Sequence, residues 1–249
     1  MEIKRTLTRA YSWEYFWLCL IVVVTLAMHF SIITQPNELV LDEQHYVKDA
    51  RHILTNEQTQ RPEHPPLAKL FITSGLAAFG DNPWGWRIPS IIMGTIGVIL
   101  FYFICRRLGM SRRASNIATF IFGFENFNFM LASIAMLDVF FVTLMLAYFL
   151  LYLSREYVLA GIFIGLSALA KLYAALGAPA LLIHWLFSRT KPSPWFALTV
   201  ILAPVSFIAL MPIFDFAITH QFQNPISRIT EMMSLSSSLT FASTTHPSL

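Results

Sequence analysis

Long apolar segments alternate with short polar ones along most of this chain. An α-helix needs about 20 apolar residues to cross a membrane, and several segments approach that length. They are Tyr15–Ile33, Ile88–Cys105, Ala114–Leu131, Ile134–Leu153, Val158–Ala170, Tyr173–Phe187 and Trp195–Phe214. The pattern therefore predicts an all-α, polytopic bundle of about seven transmembrane helices.

The fifth and sixth of these segments are shorter than the others and contain small residues. Gly161, Gly165 and Gly177 lie in them, together with Pro179. Small residues let helix backbones approach closely inside a membrane, so we expect these two segments to form a close-packed helix pair.

The segment between the first two spans has a different pattern. From Tyr46 to Leu54 the apolar residues recur every three or four positions, which predicts a short amphipathic helix lying at the membrane interface. Pro66 is suited to the first turn of a second interfacial or re-entrant helix, which should end at Gly80. Trp84 and Trp86 follow, as is typical of an aromatic belt at a membrane surface.

Composition agrees with a membrane protein. Charged residues make up only 12% of the chain, against about 25% in soluble domains. The net charge of +3 does not indicate nucleic-acid binding, because ten of the 17 Lys and Arg residues fall in four short segments that alternate with the spans. These are 1–9, 105–113, 154–156 and 188–193, and the positive-inside rule places all four in the cytoplasm.

This orientation gives the predicted organisation of one membrane domain over residues 1–249. It has a cytoplasmic tail at 1–14, an outer loop at 34–87, transmembrane helices over 88–214 and an outer tail at 215–249. The first apolar segment is predicted to be an uncleaved signal anchor, since no small-x-small cleavage site follows it. Cys19 and Cys105 are both predicted near the inner half of the membrane, and we expect no disulfide between them.

Candidate chemistry is concentrated in the outer loop, which carries five of the 14 acidic residues between Asp42 and Glu63. Taken alone, Asp42 is read as a helix N-cap in preference to a catalytic carboxylate. Arg87 either reaches lipid headgroups or clamps the phosphate of a substrate, for which a guanidinium offers two parallel hydrogen bonds. Asp138, at the start of a span, either caps that helix or faces the same cavity as Asp42.

Three histidines in this loop, His45, His52 and His64, leave a divalent metal open. No tightly spaced zinc motif such as HExxH is present, so no metal ligand is assigned.

Taken in order, the polar motifs resemble those of the protein O-mannosyltransferases, polytopic glycosyltransferases with the GT-C fold. LDEQHYVKDAR is similar to that family's first outer-loop Asp-Glu motif, and EHPPLAK to its His-Pro-Pro-Leu-x-Lys motif. GWRIPS is similar to the segment with the loop arginine, and SIAMLDVF to the Met-Leu-Asp motif. AGIFIGLSALAKLYAALGAP resembles the Gly-rich helix followed by a lysine, and THPSL resembles the start of a late His-Pro motif.

The resemblance implies transfer of mannose, with inversion, from a polyprenyl-phosphate carrier to Ser or Thr hydroxyls of a secreted or membrane protein. Asp42 matches the general base, Glu43 its acidic partner, and Arg87 the cation near the departing lipid phosphate. The matching motifs also suggest further substrate-binding residues, namely His64, Lys69, Asp138, Lys171 and His246. Polyprenyl-phosphate-mannose would be a substrate rather than a cofactor. The site would face away from the cytoplasm, at the plasma membrane of a prokaryote or the ER membrane of a eukaryote.

Two features depart from the family pattern. Ser133 stands where many relatives carry Arg, so any charge supplied there is missing. The chain also stops within the late His-Pro motif, where relatives continue. We therefore expect an N-terminal portion of the architecture, completed by a missing C-terminal half or by an oligomer.

Other functions remain open at this point. A related enzyme would move another sugar or use a lipid acceptor, and a non-catalytic membrane subunit would keep only the fold. A transporter is disfavoured because the acidic residues lie in a loop and no inverted repeat is visible.

Overall fold

The computed structural model describes residues 15–188 and 194–245, and of 237–245 the backbone alone. The predicted cytoplasmic tail at 1–14 and His246 lie outside the described residues. Within the described ranges the chain is helical and contains no β-strand. The all-α prediction is therefore confirmed for this part of the chain.

The helices follow one another with short connections. In chain order they are α1 (Phe16–Ile32), α2 (Glu43–Leu54), α3 (Pro66–Phe79), α4 (Pro83–Arg107), α5 (Arg112–Phe124), α6 (Asn126–Ser133), α7 (Leu137–Leu153), α8 (Tyr157–Ala170), a 3-10 helix (Leu172–Leu176), α9 (Gly177–Phe187), α10 (Phe196–Thr219) and α11 (Pro225–Thr245).

Both helices predicted in the loop between the first two spans are present. Helix α3 has Pro66 in its first turn and ends before Gly80, whose positive φ of 82° suits a residue without a side chain. The interfacial placement of α2 stays a prediction, and its apolar face packs on protein. The apolar residues that suggested it, Tyr46, Val47 and Ala50, are buried against α3 and the bundle.

Two single helices, α4 and α10, are long and apolar enough to cross a membrane. The pair α6 and α7 would add a third span if it is counted as one bent element, since its two helices meet at 112°. Helices α1, α3 and α8, and the segment Leu172–Phe187, are apolar but shorter. The count of seven spans stays a prediction.

The single helix predicted over residues 114–131 is wrong. The chain breaks at Glu125, whose carboxylate accepts hydrogen bonds from the backbone N–H groups of Phe127 (3.0 Å) and Asn128 (2.8 Å). Glu125 thus caps the N-terminus of α6, and α5 ends at Phe124. Hydrophobicity alone did not reveal this break, because phenylalanines alternate with the polar residues Glu125, Asn126 and Asn128.

The close-packed pair predicted for the fifth and sixth apolar segments has a different partner. Gly161 and Gly165 of α8 face α10, not α9. A methyl group added to Gly165 would lie 2.1 Å from Ser206 Oγ and 2.8 Å from the backbone nitrogen of Phe207. The small residues therefore serve the α8–α10 contact.

The main core lies where the loop helices meet the bundle. Its fully buried side chains come from distant parts of the chain, including Val47 of α2, Ile72 of α3, Phe140 of α7, Leu169 of α8 and Met211 of α10. The loop carrying Asp42 is thus fixed to the helices on several sides, which positions the site.

Candidate active site

Glu43, the first residue of α2, is fully buried and paired with Arg87 of α4. Arg87 donates from Nε to Glu43 Oε1 (3.0 Å) and from Nη2 to Oε2 (2.9 Å), a bidentate ion pair. The same carboxylate accepts hydrogen bonds from the backbone N–H groups of Val40 (3.1 Å) and Ala135 (2.8 Å). Glu43 therefore joins its own loop to α4 and to the α6–α7 connection.

The remaining donors of Arg87 bind backbone carbonyl groups just before Asp42. Nη1 donates to the carbonyls of Ile33 (2.8 Å) and Pro36 (3.0 Å), and Nη2 donates to that of Glu38 (3.0 Å). Only 1% of the Arg87 side chain is exposed. The structure thus gives Arg87 a loop-fixing role, and a direct clamp on phosphate stays a prediction.

Asp42 precedes α2 and has opposite surroundings from its neighbour. Its carbonyl accepts the first hydrogen bonds of the helix, from the N–H groups of His45 (2.9 Å) and Tyr46 (3.1 Å). The side chain makes no capping hydrogen bond and is exposed. A cap formed by its backbone therefore leaves the carboxylate available for chemistry.

Tyr46 lies one helical turn beyond Asp42 and links it to the His-Pro-Pro motif. Burial raises the pKa of the Tyr46 phenol, and the nearby negative charges of Asp42 and Asp138 raise it further. The Tyr46 ring packs edge-on against His64, with ring centroids 5.6 Å apart. Burial lowers the pKa of His64, and the positive charges of Lys69, Lys171 and Arg61 lower it further, against the opposing charge of Glu63.

Asp138 and Lys171 meet although they are 33 residues apart. Lys171 Nζ lies 2.7 Å from Asp138 Oδ1, and both side chains are partly exposed. Lys171 also lies over the ring of Phe141, 5.5 Å from its centroid. This accessible cation is therefore paired with Asp138, whose charge acts on the same tyrosine as that of Asp42.

Lys69 is not part of this accessible group. Its ammonium lies 2.8 Å from Asp49 Oδ2, with 2% of the lysine side chain exposed, and it also donates to the carbonyl of Arg61. Asp49 in turn accepts from the backbone N–H of Gln60 (2.7 Å). This buried pair joins α2 to α3 and to the loop between them.

Two residues near Asp42 were missed by the sequence reasoning. Tyr46 was read only as a member of an apolar face. Arg61 has a side chain that is 32% exposed and lies close enough to Tyr46 and His64 to change both pKa values. It also donates to His45 Nε2 (3.1 Å) and Glu63 Oε1 (3.3 Å).

We call these residues the Tyr46 cluster: Asp42, Tyr46, Arg61, His64, Asp138 and Lys171. The cluster combines an exposed carboxylate with two partly exposed cations. In the part of the chain that the structure describes, no group of three His, Cys, Asp or Glu side chains is arranged to hold a metal ion. Such an arrangement can take a proton at Asp42 and hold an anionic group between the cations.

Residues 63–216 match the family model described as dolichyl-phosphate-mannose-protein mannosyltransferase. Since the match covers more than half of the chain, the protein belongs to this family. Arg87, Asp138 and Lys171 lie inside the matched region, whereas Asp42 and Glu43 precede it.

The curated relatives that this chain matches are also named as protein mannosyltransferases. A polyprenol-phosphate-mannose–protein mannosyltransferase of Mycobacterium tuberculosis is 29% identical over 173 residues, covering 67% of this chain and 33% of the relative. Proteins of that name from Mycolicibacterium smegmatis and Corynebacterium glutamicum are each 30% identical, over 52% and 57% of this chain. The matched regions cover 26% and 29% of the lengths of these two relatives.

This chain therefore spans about a third or less of the curated relatives that it matches. No solved structure matches it.

Proposed function

We propose that this protein takes part in transferring mannose from a polyprenyl-phosphate carrier to Ser or Thr hydroxyls of proteins, with the Tyr46 cluster as the reaction site. The exposed, uncapped carboxylate of Asp42 carries the proposal, because its charge acts on Tyr46, which packs against the His64 ring that Lys171 and Arg61 approach. Family membership and the names of the relatives supply the donor and acceptor classes. The GT-C fold and a site on the extracytoplasmic face belong to the same proposal.

In this mechanism the acceptor oxygen attacks the anomeric carbon of mannose while Asp42 accepts the hydroxyl proton. A new carbon–oxygen bond forms on one face of the sugar, and the bond to the phosphate oxygen breaks on the other. The bonding electron pair leaves with the polyprenyl phosphate. A positioned general base contributes about 10²–10⁴-fold to such a reaction.

Positive charge is needed where the leaving phosphate gains its negative charge. Lys171 and Arg61 are suited to this task, because both retain exposed surface and face the Tyr46–His64 pair. Glu43 and Arg87 act on the reaction through the loop that they fix. Asp138 holds Lys171 in place.

The test is a transfer assay in membranes that contain the full chain. Labelled polyprenyl-phosphate mannose and a Ser/Thr-rich peptide are supplied, and the labelled peptide is counted. Asp42→Asn should lower the rate by about 10²–10⁴-fold with normal protein accumulation, because the side chain supports no described contact. Gln44→Ala, at an exposed neighbouring position of α2, is the matched control.

Two results would contradict the proposal. One is full activity of Asp42→Asn. The other is no transfer by the wild-type chain under conditions in which the Mycobacterium tuberculosis relative transfers mannose. The second result would favour the non-catalytic membrane subunit, a role compatible with a chain that covers only part of its relatives.

A further inference from the structure

A polar cavity lies beside the Tyr46 cluster and takes no part in the mechanism above. Its volume is about 430 Å³, within the range of about 300–1,000 Å³ typical of ligand pockets. One wall is the α2–α3 loop, two residues before His64, and the other is the connection from α10 to α11. Neutral polar side chains dominate the lining, namely those of Asn56, Gln58, Thr59, Thr219, Gln221 and Gln223.

The two walls are held together by specific contacts. His220 Nε2 and Asn56 Oδ1 are 2.6 Å apart, and both residues have left-handed backbones, with φ of 55° and 58°. Arg228 of α11 donates from Nη2 to the carbonyl of Pro62 (2.8 Å). Direct hydrogen bonds between the two segments therefore define the shape of the cavity.

The charged residues at this cavity are already paired. Arg228 contacts Asp215 (3.6 Å) and Glu231 (2.8 Å), and Glu57 lies 3.7 Å from His52. Across the described residues, by contrast, no hydrogen bond involves the side-chain amides of Gln58, Gln221 or Gln223. Uncharged amides are thus the groups left to bind a ligand.

A primary amide presents a carbonyl acceptor and an N–H₂ donor side by side. The peptide group of an extended polypeptide presents the complementary donor and acceptor, with no charge to neutralise. The lining also contains no aromatic ring on which a sugar could stack. The chemistry favours an extended, uncharged polypeptide segment over a carbohydrate or a phosphate.

We propose that this cavity binds the acceptor polypeptide, holding a segment next to the Ser or Thr that receives the sugar. This inference rests on the proposed function, because it assigns an acceptor site to the same reaction. It explains how an enzyme with one exposed base could select an unstructured, hydroxyl-rich segment. Backbone recognition by amides would tolerate many sequences and disfavour charged ones.

The test measures peptide binding separately from transfer. The full chain in detergent micelles or nanodiscs is titrated with a fluorescently labelled peptide of Ala, Pro, Ser and Thr residues. Gln58→Ala with Gln223→Ala should raise the dissociation constant about tenfold, as expected for two lost hydrogen bonds. Gln60→Ala is the matched control, an exposed glutamine of the same loop that does not line the cavity.

A second measurement separates this inference from the proposed function. Binding of polyprenyl phosphate without sugar should be unchanged in the double variant, and in transfer assays KM for the peptide should rise while kcat stays within about twofold. If the wild type binds peptide through Gln58 and Gln223 but transfers nothing, the acceptor site stands and the proposed function fails. An unchanged peptide affinity in the double variant, an equal loss in Gln60→Ala, or binding of a mannose oligosaccharide in place of the peptide would overturn the inference.

Discussion

Asp42 and Glu43 are adjacent carboxylates with opposite surroundings. Glu43 receives four hydrogen bonds and has no exposed surface, whereas the Asp42 side chain is exposed and uncapped. The chain direction explains the contrast, because successive residues at a helix start point about 100° apart. One residue of the pair can therefore anchor the loop while the other reacts.

The anchoring role predicts a stability effect at Glu43 and Arg87. Glu43→Gln leaves a buried guanidinium without its charge partner, so we expect a loss of about 3–5 kcal/mol in the free energy of unfolding. Arg87→Lys should also be strongly destabilising, because an ammonium cannot make the bidentate pair and the three carbonyl contacts together. Melting temperature in detergent and protein yield measure both effects.

Asp42→Asn is the matched control for these variants, since it changes the adjacent carboxylate without removing any described contact. Its melting temperature should stay within about 1–2 °C of the wild type, whatever happens to activity. A stable Glu43→Gln protein that has lost only transfer would instead give Glu43 a direct role in the reaction.

His64 predicts a dependence of stability on pH. Because burial lowers its pKa in the folded protein, the unfolded chain binds a proton at this residue near pH 6.5 while the folded protein does not. Stability should therefore fall as the pH drops through about 6.5 toward the folded pKa. The melting temperature of the wild type, followed from about pH 7.5 to 5.5, should decline more steeply than that of His64→Gln.

The matched control is Gln60→Ala, at an exposed position without a titratable side chain in the same loop as His64. It should keep the wild-type slope of melting temperature against pH. Equal slopes in the wild type and His64→Gln would contradict a lowered pKa at His64.

At the scale of the element, the sequence predicted those helices and helix ends that depend on residues close together in the chain. The apolar spacing from Tyr46 to Leu54 identified α2, and Pro66 and Gly80 marked the ends of α3. The helix break at Glu125 was not predicted, because a carboxylate in an apolar stretch can be a cap, a functional group or a lipid-facing residue. The hydrogen bonds from the backbone N–H groups of Phe127 and Asn128 show that Glu125 is a helix cap. These bonds are visible only in the folded structure.

Residues that meet across the chain were harder to predict than the helices. Arg87 was singled out from the sequence as a candidate, but its partner Glu43 lies 44 positions away and its carbonyl partners lie in an irregular turn. Nothing local to Arg87 distinguishes a phosphate clamp from a loop anchor. Arg61 and Tyr46 were missed for the same reason, since their importance comes from lying next to Asp42, His64 and Lys171.

The α8–α10 contact predicts a sharp steric effect. Gly165→Ala places a methyl group against Ser206 Oγ, which can rotate away, and against the Phe207 backbone, which cannot withdraw without moving α10. Overpacking of this kind costs about 1–3 kcal/mol, so the melting temperature should fall by several degrees. Gly123→Ala is the matched control, since its nearest neighbour, a Val98 methyl group, lies at an ordinary 3.4 Å.

A second variant, Gly165→Ala with Ser206→Gly, removes the nearer of the two obstructions and should recover part of the loss. An unchanged melting temperature for Gly165→Ala would mean that α8 and α10 are not held at this distance. It would also remove the geometric basis for placing Lys171, which directly follows α8, beside Asp138.

The whole molecule joins a strongly basic end to an acidic one. Arg106 and Arg107 end α4 and Arg112 and Arg113 begin α5, whereas the loop containing Asp42 leads into the other end of α4. Helix α4 spans 25 residues and contains an 18-residue window with a mean hydropathy of 2.2, enough to cross a bilayer. In the orientation that we propose from the positive-inside rule, the arginines lie in the cytoplasm and the Tyr46 cluster lies on the far side of the membrane.

Labelling of single cysteines tests this orientation. In a background with Cys19→Ser and Cys105→Ala, one variant carries Gln60→Cys in the α2–α3 loop and another carries Leu108→Cys, whose side chain is 61% exposed. In intact cells a membrane-impermeant maleimide should label the first, and it should label the second only after permeabilisation. The reverse pattern would put the Tyr46 cluster in the cytoplasm and would contradict the proposed extracytoplasmic site while leaving the loop architecture intact.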